Sequence, residues 1–210
     1  MPEPVPEPVP GPVPGPVPQP APQAVSAQAT QPVPGSAAPR RATFAFMRAH
    51  PAHWLAFAFG AGLAPRAPGT VGTLWGWLSF AVLAPWLGAA GFAAVIMLAF
   101  LAGWWASTRT AQHLGLADPG AIVWDEVVAF WIVLWLLLPA PGWAQLAAFA
   151  LFRFFDAAKP QPVRWADGLF KPAPGQPIGW RQGFGIMLDD IVAAFCTLLF
   201  IALCLRLWNT

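Results

Sequence analysis

Five carboxylates stand where apolar sequence meets polar sequence: Asp125 and Glu126 side by side, Asp156 alone, and Asp189 next to Asp190. No cysteine or histidine lies beside them, so a metal held here would see oxygen ligands only. Such a donor set suits a hard cation, and Mg²⁺ is the expected occupant because it uses a few carboxylates and keeps waters and substrate phosphate. Zinc would call for imidazole or thiolate. Arg153, Lys159, Arg164 and Arg181 add the complementary charge, suited to clamping phosphate oxygens. A second stretch, GAGLAPRAPGTVGTLWG at 60–76, is too rich in Gly and Pro to be one continuous helix. Its backbone amides, with Thr70, Thr73 and Arg66, could meet a phosphate at a helix N-terminus. An entry loop into an apolar helix would look similar, and no Walker pattern is present.

The elements that must position these groups are apolar. The 210 residues are 57% hydrophobic and 10% charged, where soluble domains carry about 25% charge. Residues 67–108 and 127–152 hold no charge at all, and a span needs about 20 apolar residues. Pro85 divides the first run into helices over 74–87 and 88–106. Pro139, Pro141 and Gly142 turn the second back on itself. Asp118 followed by Pro119 reads as a helix start, with the acid capping and the proline in the first turn. Asp125 and Glu126 then fall six and seven residues in, about 9 to 10 Å along the axis. Carboxylates at that depth cost about 2.5 to 3.5 kcal/mol each on insertion scales. They therefore need compensation.

Between the apolar runs, residues 153–190 carry nine of the twenty charged side chains and are too polar to cross. The last helix, over 184–205, must leave from the side where 143–156 arrived, with Asp189 and Asp190 five and six residues in. Counting turns gathers the PGT turn at 68–70, Asp125, Glu126, Arg153, Asp156, Lys159, Asp189 and Asp190 at one face. The turns near 85–90 and 139–143 carry no charge. The positive-inside rule makes the charged face cytoplasmic. The fold expected is all-α: a polytopic membrane bundle of about four to five apolar helices, multi-pass, with a polar cytoplasmic face. A homo-oligomer is left open.

Other classes fall away. Residues 1–39 hold fourteen of the twenty-six prolines, so a disordered tail over 1–41 precedes the helical domain at 42–210. Glu3 and Glu7 are unlike the start of a signal peptide. Cys196 and Cys204 are about 12 Å apart on one helix, too far for a disulfide. The net charge of +2 gives no footprint for nucleic acid. Thirteen Trp suit headgroup-level anchoring, and His113 reads as a surface residue at a helix end. A cysteine-nucleophile phosphatase would need Arg five residues after its Cys, yet Ile201 follows Cys196. Phosphatases built on paired histidines would need them among the charges, where His50, His53 and His113 are absent. Acids at a membrane face with basic partners point to phosphoryl chemistry on a lipid headgroup. The alternative class is a proton- or ion-coupled transporter using intramembrane carboxylates, but the acids share one face and no internal repeat is evident.

The blocks APGTVGTLWG (67–76), DPGAIVWDEVVAFWI (118–132), FRFFDAAKPQPVRWAD (152–167) and GFGIMLDDIVAA (183–194) resemble, in order, the signatures of the phosphatidylglycerophosphatase A family. The resemblance implies Mg²⁺-dependent removal of the terminal phosphate of phosphatidylglycerophosphate, giving phosphatidylglycerol at the bacterial inner membrane. It also implies Asp125, Glu126, Asp156, Asp189 and Asp190 as catalytic. Of these, Asp125, Glu126, Asp189 and Asp190 are the expected metal ligands; Lys159 and Arg153 are carried over with them to the substrate phosphate, where the residues' own chemistry adds Arg164 and Thr70. Ala129 stands where the family usually has Gly, and the link at 171–182 is longer than usual.

Overall fold

In the computed structural model, Met1 and residues 40–173 and 176–208 are described. Of the proline-rich tail expected over residues 1–41, residues 2–39 lie outside the described residues. The backbone is helical throughout, with no strand among the described residues. Two short helices, α1 (Phe44–Arg48) and α2 (Pro51–Ala56), lead into a 3₁₀ segment, Ala58–Leu63. The apolar body follows as α3 (Pro68–Leu83), a 3₁₀ turn at Ala84–Trp86, α4 (Ala89–Leu114), α5 (Trp124–Leu137) and α6 (Gly142–Ala158). Then come α7 (Val163–Leu169) and α8 (Trp180–Trp208).

The hub is α5. Val127, Val128, Ala129, Phe130, Val133 and Leu134 are fully buried, so the middle of this helix is enclosed by apolar neighbours on every side. It packs on α3, α4, α6 and α8, and α8 in turn touches α4, α6 and α7. Close approach of α3 to α5 depends on Gly72 and Gly76, since a Cβ at either would meet Val123 or Val127. Indole N–H groups add polar ties between helices. Trp131 donates to Gly76 O (2.9 Å), Trp124 to Ala99 O (2.9 Å) and Trp77 to Gln145 Oε1 (2.8 Å). Several Trp thus serve as rivets, because a buried indole keeps one donor that must be used. Others, including Trp86 and Trp143, stay exposed.

Two helices, α4 and α8, are long and apolar enough to cross a membrane. The others in the body run 16, 14 and 17 residues, short of the roughly 20 that a perpendicular span requires. Several boundaries differ from expectation. The helix expected at Asp118–Pro119 begins only at Trp124. Residues 119–122 form a turn closed by Ile122 N–H to Pro119 O (2.9 Å), and the Val123 N–H is committed to Ala56 O (2.9 Å). Asp125 and Glu126 consequently lie in the first turn of α5, not two turns deep. At the other end, α8 starts four residues earlier than expected, which puts Asp189 and Asp190 about 14 to 15 Å along it. The polar link between α6 and α8 is not merely a connection, because it builds α7, which packs on α8.

His113 also departs from expectation. It is not a lone surface residue: its Nδ1 sits 2.9 Å from Nε2 of His53, sixty residues away, and the His50 ring lies 5.4 Å from both. Together they fasten α2 to the end of α4. Nearby, the Arg40 N–H donates to Leu114 O (2.9 Å), fixing where the tail joins the body. Both cysteines are free, Cys196 half-buried and Cys204 exposed, as their spacing required.

Candidate active site

The site forms where the N-termini of α3 and α5 meet the end of α6 and the middle of α8. Asp125, Glu126 and Asp190 each offer a carboxylate oxygen within 4.8 Å of the others. The first two sit in the opening turn of α5, where unpaired amides and the helix dipole favour negative charge. Glu126 N–H itself donates to Asp125 Oδ1 (3.1 Å). Asp190 comes from α8 and is only 3% exposed. Successive residues of a helix point about 100° apart, given 3.6 residues per turn. Asp189 accordingly leaves this group and meets Lys159.

Arg153 and Asp156 are three residues apart on α6, and the guanidinium Nη1 donates to Asp156 Oδ2 at 2.5 Å. The same nitrogen lies 3.6 Å from Glu126 Oε1 and donates to Thr73 Oγ1 at 3.3 Å. Thr73 in turn donates to Gly69 O (2.9 Å). The PGT turn is thereby tied to the acids. Gly69 has no room for a Cβ: the position is filled by Glu126 Oε1 and lies 3.0 Å from Arg153 Nη2. Thr70 occupies the first turn of α3 beside it, so first-turn amides without helical partners open next to Arg153 and Glu126.

A second network surrounds Lys159. Its backbone ends α6 in the left-handed region (φ 43°), a conformation that glycine adopts more easily. The ammonium that this turn aims inward donates to Asp167 Oδ1 (2.5 Å) and Asp189 Oδ2 (2.6 Å). Lys171 completes the chain on Asp167 Oδ2 (2.5 Å). Burial opposes the charge on Lys159, but Asp189 and Asp167 outweigh it and hold the group well above its ordinary pKa. Burial would likewise raise Asp167, yet hydrogen bonds from Lys159 and Lys171 win and hold it below the usual carboxylate range. Lys159 is therefore a permanent cation.

Not every expected residue arrives. Arg164 is exposed on α7 and forms no ion pair among the described residues. Arg181 is exposed too, stacked 5.9 Å over the Phe170 ring instead of facing the acids. Conversely, Asp167 was not singled out by the sequence, although its spacing from Lys171 on a helix turn is a visible pairing signal.

The two networks differ in completeness. Glu126 Oε2 and Asp190 Oδ2 are buried without a partner, and so is Arg153 Nε. Buried polar atoms are rarely left this way unless something else completes them. Two spare carboxylate oxygens in a three-acid cluster fit a hard cation with oxygen ligands. One spare guanidinium donor beside helix-terminal amides fits an anion such as phosphate.

Comparison with known proteins gives the chain a family. The family model described as phosphatidylglycerophosphatase A matches residues 54–205. A Haemophilus influenzae protein named phosphatidylglycerophosphatase A is 43% identical over 146 residues, covering 69% of this chain and 83% of that one. The protein of the same name from Escherichia coli strain K12 is 40% identical over 150 residues, covering 69% and 77%. A Bacteroides thetaiotaomicron relative, 35% identical over 151 residues and covering 69% and 87%, bears the provisional name phosphatidylinositol-3-phosphatase. No solved structure matches. With its signature blocks folded around one acidic cluster, this chain belongs to the phosphatidylglycerophosphatase A family.

Proposed function

We propose that the protein hydrolyses the terminal phosphomonoester of phosphatidylglycerophosphate, releasing phosphate and phosphatidylglycerol, as an Mg²⁺-dependent multi-pass enzyme of the bacterial inner membrane. The observation that carries the reading is the pairing of spare acceptors, Glu126 Oε2 and Asp190 Oδ2, with the spare donor Arg153 Nε in one buried place. Asp125, Glu126 and Asp190 would hold the cation, and Asp189 supports the site through Lys159. When bound, the cation neutralises charge on the phosphoryl oxygens and makes phosphorus more electrophilic. Arg153, aimed by Asp156, and the amides beside Thr70 orient the phosphate. A water attacks phosphorus, a carboxylate takes its proton, and the P–O bond to the glycerol breaks, with that oxygen taking up a proton as it leaves. Lys159 keeps the local balance positive while the dianion is bound.

The acids occur at the start of α5, near the end of α6 and on one stretch of α8, a single patch and not a route across the bundle. That supports hydrolysis over ion-coupled transport. The same patch supports a cytoplasmic orientation, since Arg153, Lys159 and Lys171 accompany it and basic residues favour that side. Single cysteines at Ala117 and Ala173, introduced after Cys196 and Cys204 are replaced, should label only when the cytoplasmic side is opened. Labelling from outside in intact cells would reverse the orientation.

The direct test is phosphate release by purified protein, with Mg²⁺ and after chelation. The substrates are phosphatidylglycerophosphate, phosphatidylinositol 3-phosphate and glycerol 3-phosphate in matched micelles. Mg²⁺-dependent release fastest from phosphatidylglycerophosphate is expected. Faster release from the inositol lipid would transfer the reading to the headgroup in the third relative's name. Equal rates on glycerol 3-phosphate would show that the site does not read the membrane interface, and undiminished rates after chelation would remove the cation.

A further inference from the structure

Helix α4 brings no carboxylate to the acid cluster, yet it packs on both of the helices that do, α5 and α8. One contact point joins all three, at the buried Gly103 of α4. A Cβ there would stand 2.5 Å from Trp124 Cδ1, 2.9 Å from Trp124 Nε1 and 3.0 Å from Met187 Cε. There is no room for one. Trp124 immediately precedes Asp125 and Glu126 in the opening turn of α5. Met187 stands three residues before Asp190 on α8, about 4.5 Å along the axis and on the same side of the helix. A single glycine therefore seats the residue beside one pair of acids and the residue one turn from the third.

The seat is tight. The indole N–H of Trp124 donates to Ala99 O (2.9 Å), one turn before Gly103, so the ring spans those two residues of α4. Phe59 and Trp131 close on it edge-on, with ring centres 6.3 and 5.9 Å away. On the other side Met187 is fully buried, with Sδ 3.9 Å from Ser107 Oγ in the next turn of α4. A Cβ on Gly183 would collide with Thr108, so α4 and α8 approach closely there as well. The Met187 methyl ends a flexible chain and is free to swing away from a group added at position 103. The indole is rigid and hydrogen-bonded, and it is not. Pressure at Gly103 is thus passed to the start of α5 and moves Asp125 and Glu126 relative to Asp190.

We propose that Gly103 and Trp124 are positioning residues that set the spacing of the Asp125, Glu126 and Asp190 oxygens, and through it the preference of the cluster for a small cation over a large one. The inference rests on the cation reading above and adds to it what fits the cluster to Mg²⁺. Mg²⁺ demands near-octahedral geometry at about 2.0 to 2.1 Å, whereas Ca²⁺ accepts irregular shells at about 2.3 to 2.6 Å. Displaced acids therefore cost the small ion more than the large one.

Cation binding by the purified full chain in detergent micelles tests this without catalysis. Free Mn²⁺ is read by electron paramagnetic resonance, and competition with Mg²⁺ or Ca²⁺ gives a Kd for each. Gly103→Ala should raise the Mg²⁺ Kd about tenfold, the scale of a lost support behind a metal ligand, and the Ca²⁺ Kd by less than about threefold. Alanine suits a helix interior better than glycine, and retained Ca²⁺ binding shows that the variant is folded. Gly91→Ala, on the same helix where a Cβ meets only ordinary contacts, should move neither constant. Trp124→Phe releases the ring from Ala99 O, so Gly103→Ala combined with it should bind Mg²⁺ more tightly than Gly103→Ala alone. Equal rises for both ions, no rise for either, the same shift in Gly91→Ala, or a double variant no better than the single one would overturn the proposal. If Gly103→Ala does not fold, Trp124→Phe alone decides: about a threefold rise for Mg²⁺ with Ca²⁺ unchanged is expected, and an equal effect on both ions overturns the proposal. A wild type that binds no cation would overturn the cation reading and this inference with it. A wild type that binds both, with their ratio kept in Gly103→Ala, overturns the positioning role alone.

Discussion

The protein builds two polar clusters from residues distant in sequence, and one is closed while the other is open. In the first, His53 Nδ1–H donates to Phe46 O (2.8 Å), which in the neutral ring leaves Nε2 to accept from His113 (2.9 Å). His50 Nδ1 accepts from Ala52 N–H (3.1 Å), and the His53 ring stacks on Phe46 at 4.0 Å. Its hydrogen bonds are internal, and what it does is hold α1 and α2 against α4. In the second, Asp125, Glu126 and Asp190 converge while oxygens of two of them and a nitrogen of Arg153 stay unpaired. Titratable residues packed together are thus no sign of chemistry by themselves. Buried groups left without partners and gathered in one place are the better sign, because a ligand that completes them removes the penalty.

The largest effect is expected from neutralising the open cluster. Asp190→Asn and Glu126→Gln keep side-chain shape while removing charge, and each should lower kcat/KM by about 100-fold or more if it removes a ligand of the cation. Stability should hold or rise, since each relieves repulsion among buried like charges. Asp125→Asn combined with Asp190→Asn should cost little more than either alone, because ligands of one ion are not independent. Rates near wild type in the double variant would make the cluster structural.

Gly69→Ala tests the link between the open cluster and the phosphate donors. Its methyl would land on Glu126 Oε1 and crowd Arg153, displacing both from the amides of α3. A fall in kcat of about 10- to 100-fold is expected, as for misplacement on the order of 1 Å, with little change in melting temperature. Unchanged kinetics would detach the PGT turn from the site.

How far these clusters can be read from sequence differs in the same way. The open one was largely legible. Asp125, Glu126, Asp189 and Asp190 interrupt apolar helices, where a charge demands a reason. Turn counting then carried them to one face with Arg153, Asp156 and Lys159. The helical class and the break at 139–142 followed from composition and Pro/Gly placement. What stayed hidden depends on tertiary contacts. The start of α5 was displaced from Pro119 to Trp124 by the hydrogen bond from Val123 to Ala56, which no local signal announces. The turn of Asp189 toward Lys159 and away from Asp190 depends on helix phase at a crossing, and the stacking of Arg181 on Phe170 depends on where α7 lies. The histidine cluster, split across sixty residues, leaves no trace in spacing at all.

Asp167 stands between the two kinds of cluster. It is paired like the histidines, yet its partner Lys159 touches Asp189 beside the open cluster. Asp167→Asn should leave Lys159 on Asp189 alone and lower kcat by about tenfold through misplacement, with KM nearly unchanged. Asp167→Glu should restore part of the rate, a recovery that a purely structural role would not produce.

The smallest effect on activity belongs to the closed cluster, and its signature is stability and its pH dependence. His53→Gln should leave kcat/KM within about twofold, since His53 touches none of the acids, while destabilising the protein by about 1 to 3 kcal/mol through lost partners for Phe46 O and His113. Burial first, then the charges of His113 and His50, hold the His53 pKa below its usual value even though the bond to Phe46 pulls the other way. The unfolded chain therefore takes up a proton that the folded ring refuses. The stability His53 contributes is complete above the unfolded pKa of about 6.5 and drains away as pH falls toward the folded value. Melting curves of the wild type between pH 7.5 and 5 should show that decline, and His53→Gln should flatten part of it. An equal slope in both proteins would show that the ring is not held neutral. A tenfold loss of activity in His53→Gln at pH 7.5, in protein that remains folded, would make the closed cluster part of the chemistry after all.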